Sequence, residues 1–518
     1  MKLQVGITTL QPCWEILLRQ VGVPFQEIPN GIAINSEEFV SIIVTDEAST
    51  SNKNILLAYL NGGGTLLMEA DTAKHLFNIP TTYRYIKFIN PYNDSIFSRA
   101  PACDVYRWCS VAKQANLLED ESGTNTCYEH YSANGKIIVF PSGFSSLISD
   151  QKIKRKNFYA RYGKKETNER VSKVSKGSIR FYIQSALEHL FHFRKVPFVS
   201  LWHFPDGECT IFGFRIDTDF GTQEQIMNLY DVCKENGIRA TWFVETLSSK
   251  KWIDVFATFQ NQEIGLHCYK HKIFSTYKEN FESLSEGLRI LKEAKIFPEG
   301  FAAPYGEWNK ELGRVIEHLG FSYSSEFGYA YDALPFAPCS NNSSSTACQI
   351  PIHPISFGRL SAGAHSDDEM IKYYLDVISQ KIKLFEPIIL YTHPGEQRFN
   401  ILSTLFNKIH ELNIPVFTLG EYAEWWKKRE TIKFTAMLTD GKILIDSPQN
   451  DPSMWIRASF PDNDIYLSRL PSHEYSLERR LEPAGAADNY TAPYKELRTT
   501  TLRMRWHDVL HSYRKFKQ

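Results

Sequence analysis

Two carboxylates and three imidazoles stand in the middle third of this chain at spacings that suit hydrolytic chemistry. Asp217 and Asp219 lie in Phe-Arg-Ile-Asp-Thr-Asp at 214–219, and His267 and His271 in Glu-Ile-Gly-Leu-His-Cys-Tyr-Lys-His at 263–271. His393 lies in Leu-Tyr-Thr-His-Pro-Gly at 390–395. Two imidazoles and a carboxylate suffice to hold one divalent cation with a position left open. A second carboxylate and a third imidazole then remain to accept and return protons.

The elements that must position these groups are legible in the flanking residues. Thr210–Phe214 is apolar and aromatic, the pattern of a buried strand. Strand alternation puts Arg215, Asp217 and Asp219 on one face and Phe214, Ile216 and Thr218 on the other. Acids on a buried face must be paired or bound to metal. Arg215 lies two residues from Asp217, about 7 Å away at Cα, and either Asp217 or Glu263 is within its reach. Glu263–Leu266 reads as a short strand, after which His267 and His271, at i and i+4, share one side of a helical turn. Pro387–Tyr391 is again strand-like, with His393 at its end before a Pro-Gly turn. Strand ends converging on one mouth are how α/β barrels build sites. Each motif alone has a plainer reading: a solvated Asp-x-Asp turn, a surface histidine pair, a strand-end histidine bonded to backbone.

In order and context the segments resemble the polysaccharide deacetylase family, the NodB-homology carbohydrate esterases. Asp217-Thr218-Asp219 resembles that family's first motif with one residue inserted, and Gly265–His271 its His-x-x-x-His motif. Phe301-Ala302-Ala303-Pro304-Tyr305-Gly306 is similar to the third and Leu390–His393 to the last. The resemblance covers roughly 205–430. It implies a distorted (β/α) barrel in which Asp219, His267 and His271 hold one divalent ion, zinc or a related metal. It implies Asp217 as general base, His393 as general acid and the Tyr305 N–H as an oxyanion donor. The family's third motif opens with an arginine that orients the base; here that position is Ala302, and Arg215 is the candidate to replace it. For the later acidic motif, Ser325-Glu326-Phe327 is the nearest match. The implied activity is metal-dependent removal of an N-acetyl group from a sugar or polysaccharide-related substrate. The alternatives are a C–N hydrolase acting on a small non-sugar amide and a catalytically inactive carbohydrate-binding homologue.

A chain of 518 residues exceeds one core and calls for two or three domains. We divide it at 1–195, 196–430 and 431–518. The first reads as an α/β domain faintly resembling class I glutamine amidotransferase-like domains. It lacks a Gly-x-Cys-x-Gly nucleophile elbow, so the reading is scaffold or binding. Its Gly62-Gly63-Gly64 lacks the Lys-Ser/Thr of a phosphate loop and reads as a helix-to-strand turn. The basic stretch 151–176 reads as a solvated loop. Within 205–430, strand-like and helix-like runs alternate, as in a parallel α/β barrel. Beyond 430, short strands with Asp-Gly and Asp-Asn turns predict a small β-rich appendage, and Leu502–Phe516 a helix.

A net charge of −1 gives no electrostatic case for nucleic acid or an anionic membrane, and no apolar run is long enough to span one. The start lacks the apolar run of a signal peptide. Nine scattered cysteines suit reduced thiols, so the expectation is a cytoplasmic protein. Cys339 and Cys348 flank a stretch read as a surface loop rather than a disulfide. Cys268, between the two histidines, is a lesser candidate nucleophile or ligand.

Overall fold

The computed structural model describes residues 1–517 other than 30, 46–51, 92–95, 133, 162, 341–342, 471–472 and 482–493. The chain forms two compact units, each drawn from three stretches. The first comprises Met1–Ser149, Val174–Cys209 and Lys428–Pro483; the second comprises Asp150–Lys173, Thr210–Lys427 and Ala484–Gln518. Three consecutive domains at 1–195, 196–430 and 431–518 do not describe this path. Backbone pairing between distant segments is the physical reason. Phe198–Leu201 pairs antiparallel with Trp455–Ser459, which brings the expected appendage into the first unit. Residues 151–176 are largely not a solvated loop. Ile153–Tyr159 and Thr167–Ser172 form an antiparallel hairpin, and the Ser172 N–H donates to the Phe327 carbonyl at 2.9 Å within the second unit.

In the first unit, Val5–Ile7, Phe25–Glu27, Ser41–Val44, Thr65–Glu69 and Gly135–Phe140 form the parallel half of a nine-stranded sheet. The expected α/β character lives in this half, with Pro12–Val21 and Asn52–Asn61 as helices. The antiparallel half was not legible. Thr81–Asn90 and Cys103–Ala112 mix exposed aromatic and charged residues, so no clean alternation marks them as strands. The three glycines do form the turn before Thr65: a Cβ on Gly64 would lie 2.3 Å from the Tyr59 ring. Beyond residue 430, Thr435–Thr439 and Lys442–Asp446 form the expected hairpin.

The second unit is built on a curled, wholly parallel sheet. Its order runs Cys348–Gln349, Tyr323–Ser324, Gly300–Phe301, Glu263–Cys268, Ala240–Glu245, Phe212–Asp217, Ile388–Thr392, with Val416–Phe417 also pairing on Phe212–Asp217. The barrel is open. Its end strands are not paired, and a His353 N–H to Ile389 carbonyl bond of 2.9 Å draws the edges together. Helices Gln223–Glu235, Tyr277–Glu293, Lys310–His318, Asp367–Lys383 and Phe399–Glu411 belong to the same unit. Two of them start on capping boxes, Thr222 with Gln225 and Ser366 with Glu369, which satisfy N–H groups that the first turn leaves open.

The alternation read over 214–219 holds to the end of strand Phe212–Asp217 and decides what faces where; Asp219 lies beyond the strand, in a turn. Phe212, Phe214 and Ile216 join the apolar layer beneath the helices, where the Phe214 ring meets Phe406 edge-on at 5.1 Å. The opposite face carries Arg215 and Asp217. Register places Phe214 level with Ala240 and Leu390, so the C-terminal ends of neighbouring strands open on one mouth.

Candidate active site

Arg215 and Asp217 form a buried bidentate pair. Nε donates to Oδ1 at 2.6 Å and Nη2 to Oδ2 at 2.7 Å, both side chains having 5% exposure or less. Two parallel charge-assisted bonds fix the carboxylate in position and plane. Nη1 turns to the Ser325 carbonyl and hydroxyl, which hold the guanidinium from behind. Burial opposes this charge, but Asp217 and its hydrogen bonds outweigh burial and raise the guanidinium above its ordinary value. The other partner open to Arg215, Glu263, is engaged elsewhere, accepting from Tyr323 Oη at 2.7 Å, Thr241 Oγ1 at 2.8 Å and the Gly420 N–H at 2.9 Å.

Asp219, His267 and His271 each offer one ligand atom within 4.8 Å of the others. His267 lies on strand Glu263–Cys268, which runs two residues past the expected Leu266. The expected helical turn between the histidines does not form. A bend at residues 269–271 returns His271 toward His267, and their ring centroids lie 5.2 Å apart. His267 Nδ1 donates to the Ala302 carbonyl at 2.7 Å, which leaves Nε2 to face the site. Nε2 of His267 and of His271 then lie 3.0 and 2.8 Å from the same Asp219 oxygen. These three atoms and His271 Nδ1 have no hydrogen-bond partner of good geometry. Two imidazole nitrogens and a carboxylate oxygen converging in a buried place require a cation or protons between them. Burial works against charge on Asp219, but the two imidazoles set against its oxygen hold its carboxyl well below the ordinary range. Burial likewise depresses His267, yet the charges of Asp217 and Asp219 raise it above its ordinary value. The donor set therefore fits one divalent metal, which would displace those protons.

His393 follows strand Ile388–Thr392 and approaches from the other side, Nε2 standing 3.5 Å from Asp219 Oδ2. Its Nδ1 meets Glu396 Oε1 at 2.9 Å. Glu396 is itself held by Ser356 Oγ and Thr392 Oγ1, each at 2.9 Å. Burial pulls the imidazolium down, but the Glu396 hydrogen bond and charge override it and push it up to about 9. Sequence reading passed over Glu396. Its signal was present: a Pro-Gly turn brings residue i+3 back beside the histidine.

Tyr305 occupies a tight turn, Pro304–Gly306, at φ 57, and its ring meets His271 edge-on at 4.7 Å. Gly306 also has positive φ, and a Cβ there would strike the Phe327 ring at 2.4 Å. Ala302 brings no charge to the site; its role is the carbonyl that orients His267. Glu326 does not touch Arg215 through a hydrogen bond. It is fully buried, receives the Ala303 N–H at 3.3 Å, and burial pushes its carboxyl up to about 7. Burial pushes the Cys268 thiol well up, which removes the thiolate that a nucleophile or ligand would need. Cys13, Cys109, Cys127, Cys209, Cys233 and Cys268 carry free thiols.

Residues 216–324 match the family model described as polysaccharide deacetylase. That stretch includes Asp217, Asp219, His267, His271 and Tyr305; Arg215 and His393 fall outside it. No curated protein matches the chain in sequence. Among solved structures, a Mycobacterium smegmatis protein assigned to the polysaccharide deacetylases is 18% identical, covering 44% of this chain and 93% of its own at a TM-score of 0.38. A CE4 family pseudoenzyme from Bacillus anthracis is 16% identical over 41% and 65%, with a TM-score of 0.31. A family 4 carbohydrate esterase from Streptomyces lividans, solved with acetate, is 14% identical over 40% and 91%, with a TM-score of 0.30.

Proposed function

We propose that the second unit, whose residues 216–324 match the polysaccharide deacetylase family, is a metal-dependent hydrolase that removes an N-acetyl group from a sugar or polysaccharide-related substrate. The observation that carries this reading is the convergence of Asp219, His267 and His271 beside two oriented proton-transfer groups, Asp217 and His393. The metal, zinc or a related divalent ion, supplies Lewis acidity and lowers the pKa of bound water. The chain's own residues do the rest. Arg215 holds the Asp217 carboxylate aimed through two hydrogen bonds, placed to take a proton from the attacking water. Glu396 keeps His393 protonated and aimed, ready to deliver a proton to the leaving amine. The Tyr305 N–H, presented by the left-handed turn, is the donor assigned to the developing oxyanion. The first unit is read as an amidotransferase-like accessory domain without chemistry of its own.

The test is metal content of the purified full chain together with acetate release from chitooligosaccharides. The reading requires about one metal per chain after zinc supplementation, by analogy with other single-metal hydrolytic sites. Protein that stays metal-free is incompatible with it. Metal without acetate release favours a small-amide substrate or the inactive homologue that Ala302 first suggested.

Two further outcomes separate the proton-transfer roles. Asp217→Asn is expected to lower the rate about 10²-fold or more while the metal stays bound; a variant with full activity rejects Asp217 as base. The second concerns pH. If protonated His393 is the acid, activity is present below its raised value and is lost as pH rises through about 9. Glu396→Gln removes the group that raises it and leaves the burial that lowers it, so the alkaline limb moves to lower pH. An unmoved limb assigns that titration to another group.

A further inference from the structure

The helix Leu502–Lys517 carries an apolar face that looks away from the protein. Leu502, Trp506, Val509 and Leu510 are 83%, 62%, 57% and 37% exposed. Their spacing of i, i+4, i+7 and i+8 gathers them into one stripe. The opposite side faces the unit: Met504 is buried, and Asp508 pairs with Arg155 at 2.8 Å.

Charge identifies what fits there. The helix sequence holds five Lys and Arg (503, 505, 514, 515 and 517) against one acid, Asp508, whereas the whole chain carries −1. At 100° per residue, Arg503 and Arg505 fall on either side of the apolar stripe. No acid pairs with either among the described residues. A tryptophan-bearing apolar face bordered by cations is the arrangement that lies flat in a lipid interface, with the rings among the acyl chains and the cations at the headgroups. The four exposed side chains are far short of the ~800 Å² per partner that a stable protein interface buries. No helix among the described residues is long and apolar enough to cross a membrane, so contact would be with one surface.

We propose that this helix docks the protein on an anionic lipid surface. The near-zero net charge conceals the site because the cations are local. Anionic headgroups supply the complementary charge, and Trp506 with its apolar neighbours supplies the insertion.

The test is co-sedimentation of the full chain with vesicles of phosphatidylglycerol and phosphatidylcholine, and with phosphatidylcholine alone. Binding is expected on the anionic vesicles, with a blue shift of tryptophan emission, and is expected to weaken with salt. Arg503→Gln and Arg505→Gln should each lower the partition about fivefold, the equivalent of about 1 kcal/mol per cation near a charged membrane. Trp506→Asp should abolish it, while acetate release from a soluble oligosaccharide and the melting temperature stay unchanged. Absence of binding to the anionic vesicles overturns the proposal. So does binding that Trp506→Asp leaves intact, or sedimentation velocity showing self-association that the same variant dissolves.

Discussion

Alanine at Arg215 is expected to produce the largest combined loss of any single substitution, about 3–5 kcal/mol of stability together with about 10²-fold or more in rate. The two losses have different origins. Asp217 is almost wholly buried, and its oxygens accept both bonds from Arg215. Removing the guanidinium leaves a nearly buried carboxylate without its charge partner. Denaturant unfolding of the variant reads the first loss. The paired substitution Arg215→Leu with Asp217→Leu should recover most of the stability, because neither charge is then left alone, and none of the activity. If Arg215 only filled space, Arg215→Met would keep full rate. The position of the base-orienting arginine can also be probed directly. Ala302→Arg in the Arg215→Ala background should return part of the rate if a guanidinium at 302 can reach the same carboxylate.

Removal of a metal ligand is expected to end turnover. His267→Ala deletes a nitrogen that the Ala302 carbonyl aims into the site, and His271→Ala deletes its neighbour across Asp219. Either should bring zinc from one per chain to background, measured after dialysis against a weak chelator, with acetate release below detection. Stoichiometric zinc in both alanine variants would place the metal elsewhere.

The acid side of the site makes a similar point about neighbours. His393 is oriented by Glu396, three residues later, and Glu396 is fixed in turn by Ser356 and Thr392. Ser356 comes from a loop well removed in sequence. Substitutions there should alter the alkaline pH limb through Glu396 without touching substrate.

What the sequence by itself determined was local. Period-two alternation read over 214–219 sufficed to put Arg215 and Asp217 on one face, because in a strand the side chain's face follows from residue parity alone, though the strand ends before Asp219. The His-x-x-x-His spacing and the strand end before His393 marked His267, His271 and His393 as candidates, since residue type and strand boundary are written in a few adjacent letters, while Glu396 was passed over. The three-glycine turn was legible for the same reason. Tertiary structure decided everything that depends on which distant segments pair. It gave Arg215 to Asp217 rather than Glu263, because Glu263 is satisfied by Tyr323, Thr241 and Gly420. It turned the basic stretch after 150 into a hairpin of the second unit and carried the strands beyond 430 into the first. It closed His267 and His271 on Asp219 through a bend instead of a helix. Strand pairing over hundreds of residues leaves no periodic mark on either strand, since the hydrogen bonds are made by backbone that every sequence shares.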